Sequence, residues 1–318
     1  MSFRVLIADK LDKQAVPILV DAGFEVVNKP GMNEDEIAAA IPGFDAVIVR
    51  SAAKITAKII QAADCLKCIG RAGTGVDNID VKAATAKGIL VMNVPGGNTV
   101  TAAEHALAMM LSMSRMVPQA DASMKAGKWE KSAFTGFEIT GKTLGVVGFG
   151  KIGQIVADRA LGLRMKVVAY DPIVPPFVIE AAGVTPVTTV ADLMKVADIV
   201  SVHTPLNDKT RGLIGADMLA CAKDGVMLVN CARGNIVDEA ALIEALKSGK
   251  VRSAAIDVWS AEPFAEGSVA ATLAAMPNVV ATPHLGASTH EAQNRVALSI
   301  ARQIRDFLNT GARFGAVN

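Results

Sequence analysis

Short, continuous runs of apolar and β-branched residues alternate with helical stretches along the first part of the chain. Phe3–Ala8, Glu25–Val27, Ala46–Val49, Lys67–Ile69 and Ile89–Met92 read as strands. Between them, Gln14–Ala22, Glu34–Ile41, Ala57–Ala63 and Val81–Lys87 read as helices, with Gly23 and Gly88 closing two of them. Strands that are apolar throughout need cover on both faces, so the pattern predicts a parallel sheet between two helical layers. Pro95-Gly96-Gly97-Asn98 interrupts the series. The helix expected next, about Thr99–Met116, is apolar nearly all round (Ala106-Leu-Ala-Met-Met-Leu111) and is expected to be buried between elements.

A second series begins at Gly141. Thr143–Val147, Lys166–Tyr170, Ile199–His203, Val226–Asn230 and Ser253–Val258 read as strands. Ile152–Leu161, Val178–Ala182, Asp192–Val196, Asp217–Ala222 and Glu239–Ser248 read as helices. A last helix, about His290–Leu308, follows, and its position suggests that the chain returns to the first domain. The expected fold is α/β with two doubly wound parallel-sheet domains: a discontinuous one (1–98 plus 289–318) and a continuous one (99–288).

Charge narrows the partners. Lys and Arg number 32 against 31 Asp and Glu, a formal +1, so a general nucleic-acid or anionic-membrane binder is disfavoured. No run approaches the ~20 apolar residues of a spanning helix, and the N-terminus lacks a signal-peptide core, so a cytoplasmic address is expected. Four cysteines give no disulfide framework. Cys65-Leu-Lys-Cys68 lacks a second ligand pair and runs into an apolar strand, which favours a structural reading.

The sharpest motif is Gly148-Phe-Gly150-Lys-Ile-Gly153. It follows an apolar strand, opens an amphipathic helix, and precedes a second strand that ends in Asp171, 18 residues after Gly153. That context is the dinucleotide-binding fingerprint. Gly148 permits the tight turn, Gly150 lets backbone approach a pyrophosphate, and Gly153 allows close helix–strand packing. The helix N-terminus offers N–H donors to phosphate. Asp171 would accept from the ribose hydroxyls and repel a 2′-phosphate, so NAD is expected over NADP. Arg233, Glu262 and His284 each follow an apolar strand. An Arg can clamp a carboxylate, a His can move a proton near neutrality, and a carboxylate can orient it. Spacing alone does not assemble the three, and a surface Arg, a solvated Glu and a capping His fit equally well.

The whole chain resembles the D-isomer-specific 2-hydroxyacid dehydrogenases, most of all their phosphoglycerate-oxidising branch. The resemblance rests on Val49-Arg-Ser51, Gly70-Arg-Ala-Gly-Thr-Gly-Val-Asp-Asn78, Asn93-Val-Pro-Gly-Gly-Asn-Thr99, Gly127-Lys-Trp129, Gly148–Gly153 with Tyr170-Asp-Pro172, His203-Thr-Pro205, Val229-Asn-Cys-Ala-Arg-Gly234, Asp257–Pro263 and Pro283-His-Leu-Gly-Ala-Ser-Thr289. It implies a flavodoxin-like substrate-binding domain and a Rossmann NAD-binding domain, with Arg233, Glu262 and His284 as the catalytic set. It places Gly148, Gly150, Lys151, Ile152, Gly153, Asp171, His203, Thr204, Cys231, Ala232, Arg233, Asp257, His284, Gly286 and Ala287 around NAD, with Thr74 contributing from the other domain. It makes Arg50, Ser51, Arg71, Gly73, Asn98, Arg233 and His284 substrate contacts. No metal is expected, and a homodimer built around the Thr99–Met116 helix is.

Of the other histidines, His203 is expected to shape the cofactor loop, His105 to be satisfied inside its helix, and His290 to be solvated. The implied reaction is NAD-dependent oxidation of 3-phosphoglycerate, the entry to serine synthesis. Glycerate, glyoxylate or sulfolactate as substrate, or a dinucleotide-sensing corepressor-like role, are the alternatives. Two departures bear on this. After Trp129-Glu130 the sequence Lys131-Ser-Ala-Phe134 offers one cation where some phosphoglycerate oxidisers have several. The chain also ends at Asn318, where longer members continue into regulatory domains, so serine feedback is not expected of it.

Overall fold

A computed structural model describes residues 2–318. The chain divides into two compact units, one running to Asn98 and resuming over Ala287–Asn318, the other Thr99–Gly286.

In the first unit, strands β1 (Arg4–Ile7), β2 (Glu25–Asn28), β3 (Ala46–Val49), β4 (Cys68–Arg71) and β5 (Leu90–Met92) form a wholly parallel sheet in the order β2-β1-β3-β4-β5. Successive residues of a strand point to opposite faces, so both faces carry a core. Leu6, Val47, Val49, Ile69 and Val91 meet Ile37, Ile59 and Ile60 on one side. Val5, Ile7, Ala46, Ile48 and Met92 meet Leu19 and the Val296–Ile300–Ile304 stripe of the closing helix, His290–Thr310, on the other. Gly70 permits that seat. A Cβ there would stand 2.6 Å from Ile304 Cδ1 and 2.8 Å from Ile300 Cγ1.

In the second unit, β6 (Thr143–Val147), β7 (Lys166–Tyr170), β8 (Thr185–Pro186), β9 (Ile199–Val202), β10 (Val226–Asn230), β11 (Val251–Ile256) and β12 (Val279–Ala281) form a parallel sheet ordered β12-β11-β10-β9-β6-β7-β8. The chain leaves β6 in one direction to build β7 and β8, then crosses back to build β9 onward. The carboxyl end of a sheet at such a switch point is where open α/β folds bind ligands.

The sequence pattern missed the Val117–Lys125 helix, the 3₁₀ turn Lys131–Phe134, β8 and the Val269–Ala274 helix. Val117–Lys125 buries no residue, so packing within the chain imposes no continuous apolar stripe on its sequence. One expectation needs correction. The apolar helix, Thr99–Ser114, buries Ala103, Ala106, Met109, Met110 and Met113, yet Val100, Ala108 and Leu111 remain exposed along one side. It is covered on one face only.

Candidate active site

Every sequence-predicted residue of the second unit lies beyond the carboxyl end of a strand of its sheet. Gly148–Gly153 follow β6, Asp171 follows β7, and His203 and Thr204 follow β9. Cys231–Arg233 follow β10, Asp257 and Glu262 follow β11, and His284 follows β12.

The glycine turn is built as its spacing implies. Gly148 has φ +96°, and a Cβ on it would come within 2.8 Å of the His203 carbonyl. On Gly153 a Cβ would stand 2.1 Å from the Gly148 oxygen, whereas the space beside Gly150 is open. Gly150 begins the Lys151–Gly162 helix with no side-chain cap, so the N–H groups of the first turn are left to a ligand. Thr204 Oγ1 is buried without a hydrogen-bond partner among the described residues. An open glycine turn, an uncapped helix start and an orphaned hydroxyl suit a bound dinucleotide. The Asp171 carboxylate is fixed in place: Oδ2 accepts from Phe149 N (2.8 Å), and Oδ1 from Ile173 N (2.8 Å) and Val174 N (3.0 Å). His203 Nε2 lies 2.8 Å from Ser201 Oγ, and burial pushes its pKa down to about 4. It is neutral at physiological pH, as suits a residue that shapes a loop.

The structure brings Glu262 and His284 together. His284 Nδ1 lies 2.6 Å from Glu262 Oε2, and Glu262 Oε1 accepts from Trp259 N at 2.9 Å. The Glu262 hydrogen bond leads in raising the His284 pKa above its ordinary value, against burial and the Arg233 cation. Burial pushes the Glu262 carboxyl up, but the His284 and Trp259 hydrogen bonds outweigh it and hold the group below its usual range. The pair is therefore a carboxylate beside an imidazole whose charged form it favours, joined through Nδ1. Arg233 sits at a loop fixed by Asn230, whose Oδ1 accepts from Ala232 N (3.1 Å) and whose Nδ2 donates to the Arg233 carbonyl (3.0 Å). Asn230 lay in the sequence motif without an assigned role. Gly234 is needed beneath, because a Cβ there would stand 1.8 Å from the Trp259 oxygen.

Asp257, expected around the cofactor, is fully buried and grips the His284 turn. Its carbonyl accepts from His284 N (2.8 Å), Oδ1 from Leu285 N (2.7 Å) and Oδ2 from Gly286 N (2.9 Å). The grip matters because His284 has φ +56°, a left-handed conformation that costs a non-glycine residue roughly 1–3 kcal/mol unless its surroundings impose it. His105, expected to be satisfied inside its helix, contacts this same carboxylate, with Nε2 3.1 Å from Oδ1. The sequence held no signal for that link beyond a lone His in an apolar helix.

The first unit carries the other expected residues, again at carboxyl ends of strands. Arg50 and Ser51 follow β3, with Arg50 N on Asp9 Oδ2 (2.7 Å) and Nη1 on the Lys10 carbonyl (3.2 Å). Arg71 ends β4 and folds back over Gly73, whose φ of +153° and missing Cβ leave room for the guanidinium. Thr74 Oγ1 donates to Asn98 Oδ1 at 2.6 Å, which joins an expected cofactor contact to an expected substrate contact. Ala287 opens this unit's second segment.

The family model for the D-isomer specific 2-hydroxyacid dehydrogenase, NAD binding domain, matches residues 107–286. A D-3-phosphoglycerate dehydrogenase of Archaeoglobus fulgidus is 48% identical over 301 residues, 95% of this chain and 56% of that one. A human D-3-phosphoglycerate dehydrogenase is 47% identical over 315 residues, 99% of this chain and 58% of that one. The chain thus spans little more than half the length of these relatives. Among solved structures, an NAD+-bound 3-phosphoglycerate dehydrogenase of Entamoeba histolytica is similar over 100% of this chain and 99% of its own, with 31% identity and a TM-score of 0.82.

Proposed function

The chain belongs to the D-isomer specific 2-hydroxyacid dehydrogenase family, and from that premise we propose that it oxidises 3-phosphoglycerate to 3-phosphohydroxypyruvate, the first step of serine biosynthesis. The observation that carries the chemistry is the Glu262–His284 pair at 2.6 Å. The phosphoglycerate-oxidising relatives support the choice of substrate.

NAD, the family's cofactor, supplies a hydride acceptor when bound. The uncapped first turn at Lys151–Ile152, the open face of Gly150, Thr204 and Asp171 are the groups that would hold it. In oxidation, His284 Nε2 takes the proton of the C2 hydroxyl as that carbon gives up its hydride and becomes a carbonyl. Glu262 holds the ring through Nδ1 and stabilises the imidazolium. Arg233 clamps the substrate carboxylate with charge-assisted hydrogen bonds and polarises the C2 oxygen. Arg50 and Arg71 are the proposed cations for the phosphate, with Ser51, Gly73 and Asn98 as further contacts.

A second copy of the chain completes the proposal. Val100 and Leu111 on the Thr99–Ser114 helix, Val117 and Met124 on the next, and Trp129 at 81% exposure form an apolar surface that suits a homodimer. Nucleic acid is not a proposed partner, and the proposed location is the cytoplasm. No helix among the described residues is long and apolar enough to cross a membrane.

The test is a panel of D-2-hydroxy acids with NAD and with NADP, followed by formation of the reduced cofactor. Turnover of 3-phosphoglycerate with NAD above all other pairs is expected. Preference for glycerate or sulfolactate would overturn the substrate, and preference for NADP would overturn the role given to Asp171.

A further inference from the structure

His105 lies on the Thr99–Ser114 helix and reaches beneath the His284 turn. Its Nε2 is 3.1 Å from Asp257 Oδ1 and 3.3 Å from Thr282 Oγ1, and Thr282 Oγ1 itself donates to Asp257 Oδ1 at 2.5 Å. Cys231 completes the surroundings, its thiol lying with His105 and Asp257 in a cluster whose ligand-type atoms are within 4.8 Å of one another. Asp257 therefore accepts from two side chains on one side and from two backbone N–H groups of the turn, Leu285 and Gly286, on the other.

We propose that His105 is a positioning residue for proton transfer. By donating to Oδ1, it fixes the Asp257 carboxylate in the rotamer that grips Leu285 and Gly286, and so it sets where His284 Nε2 stands. The inference rests on the acid–base role given to His284 above.

Two facts support it. A buried carboxylate with several donors is ionised and rigid, and here the donors outweigh burial and hold Asp257 below its ordinary pKa, the His105 hydrogen bond first among them. The turn it holds carries a histidine in a left-handed conformation, which lets go of its geometry if the grip loosens. The groups charged or titratable around His284 are Glu262, Asp257 and Arg233, and those around Asp257 are His105, Cys231, His284 and Glu262. Among the described residues of this network, His105 is the one supplied by a helix, remote in sequence from the turn it serves.

The test compares two polar replacements on the full chain. In His105→Gln the amide nitrogen reaches about where Nε2 stood, and in His105→Asn it stops short. His105→Asn should lower kcat for 3-phosphoglycerate oxidation about tenfold or more, the scale of a small misplacement of a catalytic group. KM for the acid and NADH affinity by fluorescence should stay within about threefold. His105→Gln should recover most of the lost kcat. Equal kcat in the two variants, or a loss that appears in KM alone, overturns the proposal. His284→Asn is measured alongside. If that variant keeps its turnover, the acid–base reading itself has failed, whatever the His105 variants do.

Discussion

Asp9 and Asp257 do the same work in different sheets. Each is buried just past the end of a strand and accepts two N–H groups from the loop after a neighbouring strand: Arg50 and Ala53 for Asp9, Leu285 and Gly286 for Asp257. The two differ in how completely the carboxylate is used. Both N–H groups on Asp9 go to Oδ2, whereas Asp257 divides them between its two oxygens and takes Thr282 and His105 as well. The loop carrying Arg50 is held by its backbone, leaving Ser51 exposed. The turn carrying His284 is over-determined, which fits the proton-transfer role proposed for it, because a small misplacement of a reacting group is costly.

The largest expected effect is His284→Asn. It should lower turnover about 10²–10⁴-fold, the usual worth of a general acid–base group, with NADH affinity by fluorescence largely kept. Turnover within a factor of two of the parent would remove the proton-transfer assignment.

Asp257→Asn and Asp9→Asn should separate the two carboxylates. An amide offers one acceptor and turns an NH₂ toward a donor, so Asp257→Asn leaves one N–H of the turn facing another donor. A kcat lower by about tenfold or more is expected. Asp9→Asn can keep its single engaged oxygen in place, and both kinetic constants should stay within about threefold. Equal losses in the two variants would show that the carboxylates are not used differently.

Arg50→Ala comes next. It should raise KM for 3-phosphoglycerate at least about tenfold, because a charge-assisted contact is worth ~1.5–3 kcal/mol, and affect an unphosphorylated acid much less. Equal damage to both substrates would assign Arg50 to the carboxylate or the fold. Smallest is Glu262→Gln, which replaces the carboxylate whose hydrogen bond, and then whose charge, raises His284. The acid limb of the oxidation profile should move to lower pH, and an unmoved limb would take Glu262 out of the pair.

The legible parts of the sequence were those that burial or backbone sterics enforce. Strands such as Ala46–Val49, Thr143–Val147, Lys166–Tyr170 and Val226–Asn230 are apolar because both sheet faces are covered, and their ends coincide with the pattern. Gly148 and Gly153 were legible because no Cβ fits there. The Val117–Lys125 helix was not, since it buries nothing within its own chain. The Glu262–His284 pair needed resemblance, because 22 residues and a change of strand separate its members. The His105–Asp257 contact spans far more of the sequence, and a single histidine among alanines and methionines carries no mark of its partner.

A Glu-supported His284 is proposed to exchange the proton that accompanies hydride transfer. The direct measurement is kcat/KM against pH in both directions, 3-phosphoglycerate with NAD and 3-phosphohydroxypyruvate with NADH. Oxidation needs neutral His284 and reduction needs the imidazolium, and the group's pKa is raised above its ordinary 6.5. Oxidation should therefore rise, and reduction fall, through one shared midpoint above that value. Two flat profiles, or limbs that move in the same direction, would contradict it.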